Sequence, residues 1–589
     1  MDTKSTKSKE ITMTTQNSPQ TNSAIFSKDV WHRFVHIAKP YFVSNKKWEA
    51  FGLLGILLVL LALVNGLNVV INFVGGDLMT AMSGKNVPEF YRMIMYYFGV
   101  FVVGTPIVVM YTWVQQKLSV NWRKWLTSHL QEKWLANRNY YRINNNSEVD
   151  NPDERLAQDA NTFPASALNL FLAFLSSVIT LFSFSAILWS ISHLLVFIVV
   201  AYSLGGTVIT VLLGKRLVKL QYDQLRLEAN FRYNLIHVRN NTESIAFYHG
   251  EEKESFNVGK SFVAAIKNFN LLIGWQRNLG FFTTGYKYYI VLIPALIIAP
   301  LYFAGKVQFG VETQADMAFS QILTSLSLIV ASFGDISNFI AVINRLGSFN
   351  DSLNEDTTTA SKDKPKIDET SGDGFKLTNV TIETPDYKRI LIKNLDLEIN
   401  SKSGSLLIVG PSGCGKSSLL RVLAGLWNAG SGSVVSPSLD SMMFLPQRPY
   451  MVLGSLRDQL VYPNGNVDVS EKLMQDVLAK VNLADLAQRV GGFDTDINFA
   501  DVLSLGEQQR LAFARLLMAK PKFAILDESS SALDVANEKL LYEELTDSGC
   551  IVISVGHRPS LVNYHDRVLE YTGDGGYKLM ASSEYAAQR

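Results

Sequence analysis

Cysteine is almost missing from this chain. Cys414 and Cys550 are the only two in 589 residues. Thiols so few and so far apart make neither a disulfide framework nor a zinc site. Charge is scarce as well: 18% of residues are charged against 48% hydrophobic, with a mean hydropathy of +0.12. A fraction that low implies that part of the chain sits in lipid. Acids and bases nearly cancel, leaving a formal net charge of +1. Without a global positive field, nucleic acid is a poor candidate partner. The N-terminus lacks the apolar core of a signal peptide. Residues 1–27 are rich in Ser, Thr, Lys, Asn and Gln, and are expected to form a disordered cytosolic tail.

What the sequence does hold divides near residue 350. Residues 28–350 carry long apolar runs, 351–373 read as a polar linker, and 374–589 have the strand and helix patterns of a soluble domain. Six runs are long enough to cross a bilayer, about 20 residues each. They are Phe51–Val74, Met93–Trp113, Ala165–Ile191, His193–Leu213, Phe281–Phe303 and Met317–Val342. Asp335 in the last is costly in lipid unless it faces helices or water. The alternative is that this span ends before Asp335. Lys and Arg crowd the segments after spans two and four, from Lys117 to Arg155 and from Lys215 to Lys267, and are sparse in the other turns. By the positive-inside rule those segments and both termini are cytoplasmic. The two basic segments contain almost no Gly or Pro and have helical periodicity, so helices should project well out of the membrane. Asp150, Asn151 and Asp153, with Pro152 in the first turn, predict a short capped helix at the tip of the first segment.

The soluble half carries chemistry. "GPSGCGKS", Gly410–Ser417, follows the strand "SLLIVG" and opens the helix "SSLLRVLAGLW". In this context Gly410, Ser412, Gly413, Cys414 and Gly415 form a phosphate-cradling loop of backbone N–H groups, continued by Ser418 on the helix. Lys416 reaches the terminal phosphates, and the Ser417 hydroxyl is suited to ligate Mg²⁺. "KFAILDE" is a buried strand from whose end Asp527 can hold Mg²⁺ and Glu528 can polarise an attacking water. The expected fold is therefore a membrane all-α domain followed by an α/β P-loop NTPase domain.

With these motifs in order, residues 374–589 resemble the nucleotide-binding domain of ABC transporters. The resemblance implies that Gln447, in "LPQRPY", ligates Mg²⁺, that "SALD" (Ser531–Asp534) crosses a dimer interface, and that His557, in "SVGHR", contacts the γ-phosphate. "LSLGEQQR", Leu503–Arg510, resembles the signature segment, with Leu505 where glycine is usual. It implies that Ser504, Gly506 and Glu507 meet ATP held by a partner, so the chain should homodimerise. Tyr387 stands near the place of the adenine-stacking aromatic; stacking and an ordinary exposed turn are equally open. Glu528 would act as base, with Lys416 and His557 stabilising charge. "EANFRYNLIHVRNNTESIAFYHGEEKE" and "APLYFAGKVQFGVETQADMAF" are similar to the SbmA/BacA-related bacterial group, specifically to its YddA-type members with their own ATPase domain. Peroxisomal fatty-acyl-CoA ABC transporters share the same phrases. Membership implies a type IV, exporter-like membrane fold in a bacterial inner membrane, with ATP and Mg²⁺ as cofactors. It also implies import of bulky hydrophilic solutes such as cobalamin, bleomycin-like glycopeptides or antimicrobial peptides, with no obligatory solute-binding protein. Lipid or drug export, or acyl-CoA transport, would use the same ATP chemistry. The segments Asn151–Asp159 and Thr242–Glu252 are the expected tips that dock on the ATPase domains.

Overall fold

The computed structural model describes residues 28–144, 151–328, 332–354, 365–464 and 468–588. The tail 1–27, Asp150 and residues 355–364 of the linker fall outside them. The chain divides into two compact units near residue 357.

The first unit is all-α. Its main helices are α1 (Lys28–Val43), α2 (Lys47–Ser83), α3 (Val87–Leu135), α4 (Ala160–Ile191), α5 (His193–Asn240), α6 (Thr242–Tyr248), α7 (Glu251–Phe303), α8 (Gly310–Leu326) and α9 (Phe333–Asn354). At 1.5 Å per residue α5 and α7 reach roughly 70–80 Å, more than twice the ~30 Å hydrocarbon core. The projection expected from the basic segments is thus built as continuous helix. Among the described residues four helical stretches are long and apolar enough to cross a membrane: Lys47–Ser83, Val87–Ile143, Pro152–Ile191 and His193–Thr210. The last two expected spans fare differently. The fifth, Phe281–Phe303, forms the C-terminal part of α7, which is continuous helix to Phe303. The sixth straddles α8 and α9, and Asp335 falls in the first turn of α9. Hydropathy summed over a window does not register that interruption.

Two further corrections concern the segment ends. Asn151 does sit at the start of the helix Pro152–Glu154, but in a left-handed conformation and without a side-chain capping bond. Its backbone carbonyl does the work instead, accepting from the N–H groups of Glu154 and Arg155. The linker expected over 351–373 is also shorter. Helix α9 runs to Asn354 because Phe349 and Leu353 are buried, and a strand begins at Asp368.

Helices α5 and α7 are zipped together along their length. Tyr202 and Tyr286 stack at 4.2 Å with an interplanar angle of 12°. Each hydroxyl donates to the other's backbone carbonyl, at 2.7 and 2.9 Å. Gly206 leaves room for this, since a Cβ there would lie 2.3 Å from the Tyr286 ring. Further along, Arg216 covers Trp275, Asn268 Nδ2 donates to Gln224, and Asn234 Nδ2 donates to Ser261. Polar groups also join helices inside the apolar region. Buried Asn65 on α2 donates to Ser176 and accepts from Thr180 on α4, and buried Asn72 donates to the Gln314 carbonyl on α8. Such bonds are retained where lipid offers no substitute partner.

The second unit is α/β. A four-stranded sheet has the order β1 (Asp368–Ser371), β5 (Gly430–Ser436), β2 (Phe375–Glu383), β3 (Ile390–Ile399). A six-stranded sheet has the order β10 (Gly576–Ala581), β9 (Arg567–Gly573), β4 (Leu406–Val409), β8 (Ile551–Val555), β7 (Phe523–Asp527), β6 (Met442–Leu445). Four of its five neighbouring pairs, β9–β4, β4–β8, β8–β7 and β7–β6, are parallel, which explains the unbroken apolar runs "LLIV", "FAIL" and "IVISV": both faces are covered. The strands β4, β7 and β8 therefore deliver their following loops to one edge of the sheet. Those loops carry the phosphate motif, Glu528 and His557. The helices used below are α10 (Lys416–Leu423), α11 (Leu505–Ala519) and α12 (Val535–Asp547).

Candidate active site

The phosphate loop turns between β4 and α10 with Gly410, Gly413 and Gly415 at φ of 150°, 74° and 108°. Only glycine adopts the last without strain, and a Cβ at Gly415 would also lie 2.9 Å from Leu391 Cβ. A Gly415→Ala substitution is expected to raise the KM for ATP at least about tenfold, at 1–3 kcal/mol of backbone strain; nucleotide titration of the purified chain checks it. The Lys416 ammonium is folded back over the loop, donating to the carbonyls of Gly410 (2.8 Å) and Pro411 (2.9 Å). It lies where phosphate oxygens would compete for it. Ser412, Cys414 and Ser418 take their expected places, in the loop and on the first turn of the helix.

The metal-suited oxygens are adjacent. Ser417 Oγ donates to Asp527 Oδ1 at 3.2 Å. Burial, with the nearby Glu528 charge adding, pushes the Asp527 carboxyl above its usual range. A hydroxyl and a half-buried carboxylate in contact fit a small hard cation, which the hydroxyl oxygen would ligate through a lone pair while keeping its proton.

Glu528 stands beyond the end of β7 at φ 47°, a conformation strained for a non-glycine residue. Its N–H donates to the Val555 carbonyl at 3.0 Å, which ties the turn to β8. The carboxylate is held from two sides. Gln447 Nε2 donates to Oε2 at 3.0 Å, and His557 Nε2 lies 3.4 Å from Oε1. Residues 81 and 29 positions away thus meet at one carboxylate.

The signature segment forms a separate cluster. Ser504 caps α11 in a reciprocal box with Glu507. Gly506 packs against Ala532, where a Cβ would lie 3.2 Å from the carbonyl oxygen. Asp534 caps α12, accepting from Asn537 N at 2.7 Å. Leu505 is half exposed and points away from the core. Tyr387 sits in the turn before β3 at φ 59°, its hydroxyl donating to the Pro365 carbonyl. Leu391, which abuts Gly415, lies four residues further on.

Several connecting residues carry no motif of their own. Buried Gln509 donates to the Gln447 carbonyl and to Ser531, and accepts from Ala532 N. One side chain therefore joins the signature helix, the Gln447 loop and the "SALD" loop. Buried Glu538 accepts from Ser530, Ser560 and Arg558, tying the "SALD" loop to the segment after His557. A polar residue on the apolar face of "EQQRLAFARLL" was the signal available for Gln509.

The ABC transporter transmembrane region 2 family matches residues 37–303, and the ABC transporter family matches residues 392–531. An uncharacterized ABC transporter ATP-binding protein of Synechocystis sp. is 47% identical, over 92% of this chain and 84% of that protein. The chain belongs to the ABC transporter family. ABC transporter D family member 2, chloroplastic, of Arabidopsis thaliana is 38% identical, over 94% of this chain and 88% of its own length. The inner membrane ABC transporter ATP-binding protein YddA of Escherichia coli is 29% identical, over 91% of this chain and 97% of its own. A solved bacterial Atm1-family ABC exporter with ATP bound superposes with a TM-score of 0.74 at 16% identity, over 92% of this chain and 96% of that chain. That likeness establishes a type IV exporter fold. This ABC transporter is an ATP-hydrolysing transporter of the group that includes YddA and the D family.

Proposed function

We propose that this ABC transporter works as a homodimer in a bacterial inner membrane and carries bulky hydrophilic solutes inward. Each copy would contribute six spans within residues 28–350, and both termini and the ATPase domain, residues 374–589, would be cytoplasmic. The convergence of Gln447, Glu528 and His557 beside Ser417 and Asp527 carries the catalytic reading. Glu528 takes the proton of the attacking water. Lys416, His557 and the loop N–H groups stabilise charge on the transferred phosphoryl group. Ser417, Asp527 and Gln447 would hold Mg²⁺, which when bound neutralises the phosphate oxygens. Ser504, Gly506 and Glu507 of one copy face the ATP held by Gly410–Ser418 of the other, with Asp534 beside them and Tyr387 against the adenine.

The hydrophilic cargo draws support from the polar seams Asn65–Ser176–Thr180 and Asn72–Gln314, and from half-buried Glu312 and Asp316 on α8. The relative named for the inner membrane supports the location. Export of lipids or drugs, or acyl-CoA transport, is the second reading, favoured by the exporter-type fold and the D family relatives. ATP-dependent accumulation of labelled cobalamin or bleomycin in right-side-out vesicles is expected. Efflux alone, or ATPase stimulated by acyl-CoA and not by these solutes, would overturn the import reading.

A further inference from the structure

We infer that Arg489 is a positioning residue that lets an acidic signature segment close on the γ-phosphate. The inference rests on the proposal that Ser504 and Gly506 meet ATP across the dimer.

The third residue of α11 is a carboxylate, Glu507, and it folds back over the helix N-terminus. Its Oε2 accepts from both Ser504 N and Ser504 Oγ, each at 2.9 Å. A full negative charge is therefore fixed on the residue that has to approach a polyanion. Like charges brought together in a closing, water-poor interface repel strongly. The helix dipole offsets only about half an elementary charge. Something else has to neutralise Glu507.

Arg489 ends the short helix Leu486–Arg489, eighteen positions upstream in sequence. Its Nη2 donates to the other carboxylate oxygen, Glu507 Oε1, at 2.5 Å. The Glu507 side chain is 17% exposed and that of Arg489 43%, so the pair is half withdrawn from water. Asp485, the other acid near Arg489, lies further off at 3.6 Å and is 67% exposed, where solvent screens it. Arg489 also weakens the claim of Glu507 on the Ser504 hydroxyl, because the carboxylate charge is drawn to its other oxygen. A phosphate oxygen competes for that same hydrogen.

The test is a charge cycle read as steady-state ATPase on the full-length chain, with thermal unfolding measured in parallel. Arg489→Gln is expected to raise the KM for ATP about tenfold, with a smaller fall in kcat. Glu507→Gln, which leaves a lone cation facing the triphosphate, is expected to lower KM about twofold. The double variant Arg489→Gln/Glu507→Gln should return KM to within about threefold of the parent. A pair that only props the fold together would give no such rescue in KM, and that outcome overturns the inference. Ser504→Ala separates the two levels of the argument. If it impairs ATPase while Arg489→Gln leaves KM unchanged, the inference alone fails. If Ser504→Ala leaves ATPase unchanged, the signature reading fails and the inference falls with it.

Discussion

Glu528→Gln lowers kcat by about 10²–10⁴-fold, the usual contribution of a positioned general base, while ATP still binds. The isosteric amide keeps the geometry. It can still accept from Gln447 Nε2 and still lie beside His557. What it loses is basicity. Asp527 is no substitute, because its Oδ1 is engaged by the Ser417 hydroxyl on the side suited to the metal. The variant is therefore expected to trap nucleotide in a closed dimer. Single-turnover ATPase measures the chemical step, and ATP retention through size-exclusion chromatography measures the trap. A kcat within about fivefold of the parent would remove Glu528 from the role of base.

This site was legible where its chemistry is local in sequence. The loop Gly410–Ser417 is one contiguous motif, and the strands that place Asp527 and His557 are short apolar runs with a motif at their ends. The parallel sheet explains why order along the chain translated into convergence at one edge. Partners set by tertiary packing were not legible. Nothing near Arg489 says that it will meet Glu507, and Gln509 reads as one more polar residue in a signature helix. The membrane half shows the same division. Helices α2 to α5 follow from composition alone. The interruption between α8 and α9 does not. Asn151 caps with its backbone, which a rule based on side-chain oxygens misses.

The largest stability effect is expected at Asp159, the least obvious of these partners. It closes a π-helical turn, Arg155–Asp159, at the end of the segment Asn151–Asp159, and its side chain is only 3% exposed. Arg155 Nη1 donates to it at 3.0 Å from the same turn. Arg345, 186 positions away on α9, makes a two-pronged contact, Nε at 2.9 Å and Nη2 at 2.6 Å. Helix α9 is the element from which the chain continues to the ATPase domain, and it is pinned nearby by Arg33 on Asn344 and Arg142 on the Ser352 carbonyl. Asp159→Ala would leave Arg155, 8% exposed, with only the half-exposed Glu154 carboxylate at 3.9 Å as a counter-charge. Breaking a buried pair from one side costs about 3–5 kcal/mol, and the part-exposed Arg345 adds less because water can re-solvate it. A drop of several degrees in the unfolding midpoint of the detergent-purified chain is expected. Asp159→Ala combined with Arg155→Leu should recover much of that loss, since removing both charges leaves no buried ion to desolvate. If the single variant unfolds within a degree of the parent, the three charges do not act as a unit. If the double variant is worse than the single, the turn depends on packing by Arg155 rather than on its charge.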